Sequence, residues 1–436
     1  MNELKSQILQ LTRAYAEKYH IRKPFEKGDK VNYSGRVYSS EEMVNLVDSA
    51  LEFWLTSGHF TDEFESKLAA YIGVKYCSFV NSGSSANLLA FMALTAPELE
   101  DRAIRRGDEV ITVAAGFPTT IAPIVQFGAV PVFADVTIPQ YNIDATQLEN
   151  ALGEKTKAVF VAHTLGNPFD IKAVKSFCDK HNLWLVEDNC DALGSEYALN
   201  GVTRRTGSFG DIGTSSFYPP HHITTGEGGA VYTDNPLLAK IVRSLRDWGR
   251  DCVCASGQDN LCGHRFDGQF GDLPHGYDHK YVYAHLGYNL KATDMQAAIG
   301  VAQLDKIDGF VAARRHNFAR LRNVVSELSD KLILPEPCGN SNPSWFGFPL
   351  LCREGVNRER IVRCLEDNKI QTRMLFAGNI VRQPCMKGVD YRIVGSLDNT
   401  DSVMNNLFWV GVYPGMDNNA VDFIADTIIS SVKHIK

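Results

Sequence analysis

Residues 74–94 read VKYCSFVNSGSSANLLAFMAL, and this stretch decides the fold. Its first part, Val74–Val80, predicts a β-strand, and Ser84–Leu94 predicts the helix that follows it. The turn between them, Asn81–Asn87, carries one glycine and three serines. Backbone N–H groups and hydroxyls at a helix N-terminus suit a phosphate dianion. From this motif alone, a plain N-cap turn is an equally good interpretation.

The same strand–helix alternation continues along the chain. Further strands are predicted at Val110–Val113, Val130–Val136, Ala158–His163 and Trp184–Glu187, and a helix at Ile171–His181. Such alternation is typical of an α/β fold with a mainly parallel sheet and helices on both faces. Ligands of such sheets bind at the carboxyl ends of the strands.

Three segments are expected around this sheet. An N-terminal helical segment covers 1–35, and a large domain covers 36–311, with an irregular, cysteine-rich insert at 251–280. A smaller α+β domain covers 312–436. Helical patterning returns after the insert, at Thr293–Leu304 and Gly309–Leu328. A structureless stretch as long as the insert is usually functional or disordered.

Bulk composition excludes several classes of protein. The 436 residues are 44% hydrophobic and 22% charged, which is typical of a globular protein. A net charge of −7 without a basic stripe argues against a nucleic-acid partner. Apolar runs are too short for a membrane span, and Met1–His20 is patterned as an amphipathic helix and not as a signal peptide. We therefore expect a cytoplasmic protein without a membrane partner.

Ten cysteines raise the question of a metal site. Cys252, Cys254 and Cys262 form a Cys-x-Cys-x7-Cys array in the insert, and Cys190 is a fourth candidate. Four thiolates suit an iron–sulfur cluster. Spacing alone leaves zinc open, with help from neighbouring histidines, and unliganded thiols are an equal alternative.

Residues 215–229, SSFYPPHHITTGEGG, carry a specific resemblance. They resemble the cofactor segment of the fold type I, pyridoxal phosphate (PLP)-dependent sugar aminotransferases, the DegT/DnrJ/EryC1 family. In that family the fifth residue after the phosphate-binding serine is the lysine that forms a Schiff base with the cofactor. Counting five from Ser216 gives His221, and no lysine lies between Lys180 and Lys240. Imidazole forms no stable imine but moves protons near neutral pH.

The resemblance implies a set of cofactor contacts. Asp188, in LVEDNCDALG at 185–194, matches the aspartate that pairs with the pyridinium nitrogen, although an acidic helix cap is the alternative. Asp191 and Tyr218 depart from the Gln or His and the His of the aminotransferases, so we expect catalytic roles for both beside His221. The remaining cofactor contacts are expected from Gly83, Ser84, Ser85, Phe117, Ser216 and Asn289.

Three residues are expected around the cofactor, toward the neighbouring subunit or the substrate. Asn289 matches a residue that reaches the phosphate of the neighbouring subunit, which implies a homodimer. Arg373 and His163 are expected to face the substrate, although a surface arginine is the plain alternative for Arg373.

The His221 substitution and the cysteine array together resemble the iron–sulfur 3-dehydrases of CDP-4-keto-6-deoxy-D-glucose. That resemblance implies a [2Fe–2S] cluster on Cys190, Cys252, Cys254 and Cys262. It also implies non-covalent pyridoxamine phosphate (PMP), with His221 as the proton-transfer base. Electrons would come from an NAD(P)H-dependent flavin and iron–sulfur reductase. The reaction would dehydrate C3 of the CDP-sugar on the route to the 3,6-dideoxyhexoses of lipopolysaccharide O-antigens.

Three alternatives stay open at this point. A sugar aminotransferase requires the missing lysine. A cluster-free GDP-4-keto-6-deoxymannose 3-dehydratase also carries histidine there, but it lacks the cysteine insert. A catalytically inactive binding protein would not need Asp188, Ser216 and the cysteine array together.

Overall fold

In the computed structural model, which describes residues 3–254, 257–261 and 263–433, strands and helices alternate as predicted. The strands are β1 (Tyr76–Val80), β2 (Glu109–Val113), β3 (Val130–Ala134), β4 (Thr156–Ala162), β5 (Trp184–Asp188), β6 (Glu196–Leu199), β7 (Val202–Arg205), β8 (Ile212–Ser216), β9 (Gly229–Thr233), β10 (Leu332–Ile333), β11 (Ser341–Asn342), β12 (Gly347–Cys352), β13 (Thr372–Arg373), β14 (Arg392–Ile393) and β15 (Leu407–Gly411). The helices are α1 (Glu3–Tyr19), α2 (Ser40–Glu52), α3 (His59–Ile72), α4 (Gly83–Ala93), α5 (Pro118–Phe127), α6 (Leu148–Ala151), α7 (Ile171–His181), α8 (Pro236–Arg246), α9 (Asp294–Leu304), α10 (Ile307–Val325), α11 (Arg358–Asp367), α12 (Asp398–Asn406) and α13 (Asn418–Lys433).

The large domain is built on an eight-stranded sheet in the order β1-β9-β8-β5-β4-β2-β3-β14. Only β9 runs against the others, since it pairs antiparallel with both β1 and β8. The central strand β5, with sequence WLVED, is buried throughout. Strands of a parallel sheet are apolar on both faces because helices cover both sides. Two acidic residues at the end of such a strand therefore need partners, which the site supplies.

A smaller antiparallel sheet, β10-β12-β15-β13, forms the core of the C-terminal region. Its apolar residues pack against α10, α11 and α13. A third sheet, β11-β6-β7, joins the segment after β5 to the start of the small domain.

The chain crosses the expected boundary between the large and small domains in two places, and the N-terminal segment adds a third contact between regions. The expected boundary at 311/312 falls inside α10, which runs without a break from Ile307 to Val325. Strand β14 lies in the segment assigned to the small domain but pairs with β3 of the large sheet. The N-terminal segment continues past α1, and Val31 pairs with Ile370 of the small domain. The pairings of β14 and of Val31 are long-range contacts, which local sequence patterns do not reveal.

The insert is irregular, as its composition predicts. Its described residues between 251 and 278 form neither helix nor strand. A search of the described chain found no helix with the length and apolar character that crossing a bilayer requires.

Candidate active site

A cavity of about 630 Å³ opens where the ends of β5 and β8 approach the small domain. Asp188 ends β5 and Ser216 ends β8, and both line the cavity. Arg373 and Trp409 line it from the small domain. The carboxyl edge of a parallel sheet is the usual ligand site of such folds, because neighbouring strands present their last residues at one edge.

The N-terminus of α4 forms one end of the cavity. Ser82 is the N-cap, and its hydroxyl accepts the N–H of Ser85 at 3.0 Å. Gly83 and Ser84 line the cavity, and the first N–H groups of a helix have no acceptor within the helix. Gly83 has no room for a side chain, because a Cβ there would overlap Ser216, with Oγ only 2.5 Å away. The helix N-terminus and the Ser216 hydroxyl thus form a cradle suited to an anion.

Asp188 is held in place by three donors. Its Oδ2 accepts from Asn87 Nδ2 at 2.8 Å and from Thr120 Oγ1 at 2.7 Å, and its Oδ1 accepts from the Cys190 N–H at 3.2 Å. Asn87 is itself oriented by the Thr214 hydroxyl, which donates to its Oδ1 at 2.6 Å. Buried polar groups need hydrogen-bond partners, and these donors supply them. The arrangement presents a fixed acceptor to the cavity.

His221 lies beside Asp191 in the same cavity. Its Nε2 is 3.3 Å from Asp191 Oδ1, and each side chain is only 12% exposed. Nδ1 of His221 and Oδ2 of Asp191 are buried and meet no hydrogen-bond partner. Buried polar atoms without partners are rare in proteins and indicate a ligand group. Arg314 of α10 supports the loop by donating to the His221 carbonyl at 3.3 Å.

Two tyrosines adjoin the histidine. The Tyr218 ring lies 4.9 Å from the His221 ring at 70°, and its hydroxyl is 3.4 Å from that of Tyr33. Burial and the Tyr33 hydroxyl raise the pKa of Tyr218 well above its ordinary value. Tyr218 is therefore a neutral phenol near pH 7, able to donate a proton or a hydrogen bond.

An aromatic wall and one cation complete the cavity. Phe117 is half exposed toward it and meets Phe376 edge-on at 6.0 Å. Among the described residues that line the cavity, Arg373 is the sole lysine or arginine. Its guanidinium lies 4.0 Å from the centre of the Tyr33 ring.

His163 does not reach the cavity, contrary to its expected substrate role. It is fully buried, stacks on Phe169 at 4.3 Å and lies 2.9 Å from Glu187 through Nε2. Glu187 also accepts the N–H groups of Gly207 and Phe209. His163 therefore serves the packing and hydrogen bonding of the protein interior behind the sheet edge.

Two expected phosphate ligands lie off the cavity of their own chain. The N–H of Ser85 is taken by Ser82, and its hydroxyl lies 3.0 Å from the Ser82 hydroxyl. The backbone of Asn289 forms an isolated antiparallel β-bridge with Asp247, and the side-chain Oδ1 of Asn289 accepts a hydrogen bond from Lys291 at 2.8 Å. Ser82 was not expected among the phosphate ligands, yet it lines the cavity in place of Ser85.

The described cysteines of one chain do not come together. Cys190 lines the cavity of His221, whereas Cys252 and Cys254 line a separate cavity of about 940 Å³ beside α3 and α8. Cys262 lies outside the described residues. Burial, reinforced by Asp188, raises the pKa of the Cys190 thiol well above its ordinary value. Within the part of the chain that the structure describes, no group of three or more Cys, His, Asp or Glu is placed to hold a metal.

Three residues at or beside the cavity were not predicted from the sequence. Asn87 of α4 and Thr120 of α5 reach the site through Asp188, to which both donate. Tyr33 comes from the N-terminal segment, far from every motif. Asn87 is the last residue of the Asn81–Asn87 turn, and this motif is its sequence signal.

The cavity fits a pyridoxamine or pyridoxal phosphate. The cradle of Gly83, Ser84 and Ser216 suits its phosphate, and Asp188 suits the pyridinium nitrogen. The imidazole of His221, which lines the cavity beside Asp191, suits proton transfer. Of the four cysteines expected to hold a cluster, Cys190 lines this cavity, Cys252 and Cys254 line another, and Cys262 lies outside the described residues.

Comparisons with known proteins agree with this geometry. Residues 38–429 match the family described as the DegT/DnrJ/EryC1/StrS aminotransferase family. The lipopolysaccharide biosynthesis protein RfbH of Salmonella typhimurium is 54% identical over 426 residues, which are 97% of each chain. The dTDP-4-dehydro-2,6-dideoxy-D-glucose 3-dehydratase of Saccharopolyspora spinosa is 50% identical over 401 residues, 92% of this chain and 86% of that one.

A solved structure gives the same result at the level of the fold. Escherichia coli GDP-4-keto-6-deoxy-D-mannose-3-dehydratase with bound hydrated PLP superposes with a TM-score of 0.81 at 27% identity, over 92% of this chain and all of that one. The predicted PLP-dependent transferase fold is thereby confirmed. The chain belongs to the DegT/DnrJ/EryC1/StrS aminotransferase family.

Proposed function

We propose that this protein is a lyase that removes the C3 hydroxyl of a nucleotide-linked 4-keto-6-deoxyhexose, with pyridoxamine phosphate held without a covalent bond. The position of His221 carries the proposal. Its imidazole lies in the cavity beside Asp191, and no lysine stands among the described residues that line this cavity. Relatives named as 3-dehydratases support the reaction class.

Each side chain has a role in holding the cofactor. Gly83, Ser84 and Ser216 would hold the phosphate, Phe117 would cover the ring, and Asp188 would pair with the ring nitrogen. When bound, the protonated ring acts as an electron sink. Asp188 suits this role because Asn87 and Thr120 fix its carboxylate toward the cavity.

His221 moves the proton. Its Nε2 lies 3.3 Å from Asp191 Oδ1, and the residue lines the cavity. We propose that the imidazole of His221 takes a proton from carbon C4′ of the cofactor when the cofactor is bound. Because hydroxide is a poor leaving group, His221 then returns this proton to the departing C3 hydroxyl. Tyr218, a neutral phenol beside His221, donates a hydrogen bond to the same region.

A 3-deoxy product needs two electrons in addition to the dehydration. From the cysteine spacing and the resemblance, we propose a [2Fe–2S] cluster on Cys190, Cys252, Cys254 and Cys262, served by an NAD(P)H-dependent flavin and iron–sulfur reductase. The separate cavities of Cys190 and Cys252 weigh against a cluster built within one chain.

That separation favours a second candidate, a cluster-free 3-dehydratase. A solved relative of 26% identity is a GDP-4-keto-6-deoxymannose-3-dehydratase with a trapped PLP–glutamate geminal diamine. In this candidate, glutamate would return the cofactor to its amine form, and the cysteines would be ordinary thiols.

Iron and sulfide counts after anaerobic reconstitution separate the two candidates. The cluster proposal expects about two irons and two sulfides per chain and a paramagnetic signal on reduction. Cys252→Ser and Cys254→Ser should remove both counts, and Cys364→Ser, a thiol of α11, should retain them. Wild-type protein without iron, but with glutamate-dependent turnover, would favour the cluster-free candidate.

We also propose CDP as the nucleotide of the sugar substrate. Its support is the sequence resemblance, and the named relatives carry dTDP and GDP instead. Turnover of CDP-, dTDP- and GDP-linked 4-keto-6-deoxyhexoses, followed by product NMR, tests both nucleotide and reaction. The proposal expects loss of the C3 oxygen with the CDP-sugar, and a 4-amino sugar as the product would overturn it.

A homodimer completes the proposal. Asn289 does not line the cavity of its own chain, which leaves it available to the cradle of a partner copy. A cytoplasmic location, with a nucleotide sugar as substrate, belongs to the same proposal.

A further inference from the structure

Residues 31–35 form a segment that links the two domains and precedes the matched family region. Val31 is paired on both sides, since its N–H donates to the Lys369 carbonyl and its carbonyl accepts from the Gln371 N–H, each at 2.9 Å. Gly411, at the end of β15, allows the close approach of this segment. A Cβ on Gly411 would overlap the carbonyl of Tyr33. The position of Tyr33 is therefore fixed by the backbone and by the small domain.

Tyr33 reaches the cavity and contacts the residues on both sides of it. Its ring supports the Arg373 guanidinium at 4.0 Å and meets Trp409 edge-on at 5.5 Å. Its hydroxyl is 3.4 Å from that of Tyr218, which adjoins His221. A single side chain thus joins the only described cation of the cavity to the catalytic loop.

The next residue holds the same loop. The Ser34 hydroxyl donates to the Pro220 carbonyl at 2.5 Å, directly before His221. Ser34 is buried, so this contact is shielded from water. Residues 33 and 34 therefore contact the His221 loop at two points, through Tyr218 and through Pro220.

We infer that Tyr33 is a substrate-positioning residue for the diphosphate of the nucleotide sugar. Its ring holds the Arg373 guanidinium in place to pair with a phosphate oxygen, and its hydroxyl aligns Tyr218 beside His221. Nη1 of Arg373 donates to the Thr372 carbonyl at 2.7 Å, and stacking on a ring leaves the other N–H groups of a guanidinium able to meet such an acceptor. This inference rests on the proposed function, and it adds a residue that no motif singled out.

Nucleoside diphosphates provide the binding test. CDP, dTDP and GDP are titrated by calorimetry into protein loaded with pyridoxamine phosphate. Tyr33→Leu should weaken the best-bound nucleotide about tenfold. Tyr33→Phe keeps the ring under Arg373 and should bind within about twofold of wild type.

Tyr38, five residues further along the chain, offers a matched control. Its ring also lies under a guanidinium, that of Arg36 at 5.9 Å, and its hydroxyl meets His20 at 2.8 Å. Tyr38 does not line the cavity. Tyr38→Leu should therefore leave nucleotide affinity unchanged, and equal losses in Tyr33→Leu and Tyr38→Leu would overturn the inference.

The hydroxyl has its own readout. Tyr33→Phe should alter the pH profile of solvent exchange of the C4′ proton, because Tyr218 loses its neighbour, while Km for the nucleotide sugar stays near that of wild type. If the hydroxyl had only a structural role, its loss would not change the pH profile while leaving Km unchanged. An unchanged profile together with full nucleotide affinity in Tyr33→Leu would refute both parts.

A double-mutant cycle keeps the test valid if Tyr33→Leu folds poorly. Tyr33→Met, which also removes the ring, then takes its place: Arg373→Gln alone and Tyr33→Met/Arg373→Gln should bind nucleotide equally weakly, because the ring acts through the guanidinium. Binding is measured without turnover, so failure of the proposed reaction would leave these results intact. Additive losses in the cycle would contradict the coupling.

Discussion

At the residue scale, one side chain determines what the cavity can do. A lysine amine would bond covalently to a carbonyl of the cofactor, whereas the imidazole of His221 can only exchange protons with it. The neighbours of His221 match this role. Asp191 Oδ1 lies 3.3 Å from Nε2, and the raised pKa of Tyr218 keeps its phenol neutral near pH 7.

His221→Asn tests this role directly. Asparagine keeps polarity and approximate size but cannot accept the proton at neutral pH. We expect solvent exchange of the C4′ proton to slow by at least about a hundredfold, with cofactor affinity within about twofold of wild type. The exchange is followed by NMR of bound, deuterated cofactor.

The control for this experiment is His316→Asn. His316 is exposed on α10 and contacts Asn418, outside the cavity. It should exchange at the wild-type rate. Wild-type exchange in His221→Asn would assign the base to another residue.

Single residues were predictable where a motif carried them. Asp188, Ser216 and His221 were identified from resemblance, and all three line the cavity. His163 follows a strand just as Asp188 does, yet Glu187 holds it in the interior. Which side of a strand end a residue faces depends on its tertiary partners, which the sequence pattern does not specify.

At the scale of elements, local patterns predicted most of the large sheet. The predicted helix 171–181 matches α7, and Val130–Val136 overruns β3 by two residues. The errors lie where distant segments meet. Strand β14 has only two residues, and its partner β3 lies more than 250 positions earlier in the chain.

Gly83→Ala tests the helix terminus that forms the cradle. The new methyl group would overlap Ser216 and displace the hydroxyl from the cradle. Charge-assisted hydrogen bonds are worth roughly 1.5–3 kcal/mol each, so cofactor affinity should fall at least about tenfold. Fluorescence titration with pyridoxamine phosphate measures this fall.

Gly309→Ala is the matched control, because a Cβ at Gly309 meets no atom within 4 Å. It lies in α10, where alanine favours the helix by about 1 kcal/mol over glycine. Its cofactor affinity should stay unchanged. Equal affinity in Gly83→Ala and wild type would contradict the cradle.

The carboxylate at the end of β5 predicts an acid-sensitive stability. Burial by itself raises the pKa of Glu187, but the hydrogen bond and charge of His163 and the N–H groups of Gly210 and Gly207 lower it below 4.5 overall. A lowered folded-state pKa adds stability above the unfolded value, which is lost as pH falls through the folded value. The urea-unfolding free energy should therefore decline below about pH 4.5.

Two variants isolate the contribution of Glu187 to that decline. Glu187→Gln should be less stable at pH 7 and show a shallower decline, since it has no carboxylate to protonate. Glu154→Gln, on an exposed loop, should keep the wild-type slope. A slope in Glu187→Gln equal to that of wild type would remove Glu187 as the cause.

At the scale of the whole molecule, the cavity is a product of three chain regions. The large domain supplies Asp188 and His221, the small domain supplies Arg373 and Trp409, and the N-terminal segment supplies Tyr33. Motifs identified the first region well and the second in part. The third was not predictable, because Tyr33 acquires its neighbours only when the chain folds back across 340 residues to Arg373.

The insert shows the opposite limit. Its cysteine spacing is easily recognised, yet the described thiols of one chain lie in two cavities. Spacing along the chain does not specify distance in space when candidate ligands lie as far apart in sequence as Cys190 and Cys252. The iron and sulfide counts proposed above therefore decide more than any pattern in the sequence.

The most direct test of the central claim is the intact mass of the chain after incubation with pyridoxal phosphate and borohydride reduction. Reduction makes any Schiff base between protein and cofactor permanent. We predict that no cofactor is attached at the active site of the wild type. In His221→Lys, the mass should rise by one reduced cofactor per chain. A cofactor-modified peptide lining the cavity of the wild-type protein would contradict the account.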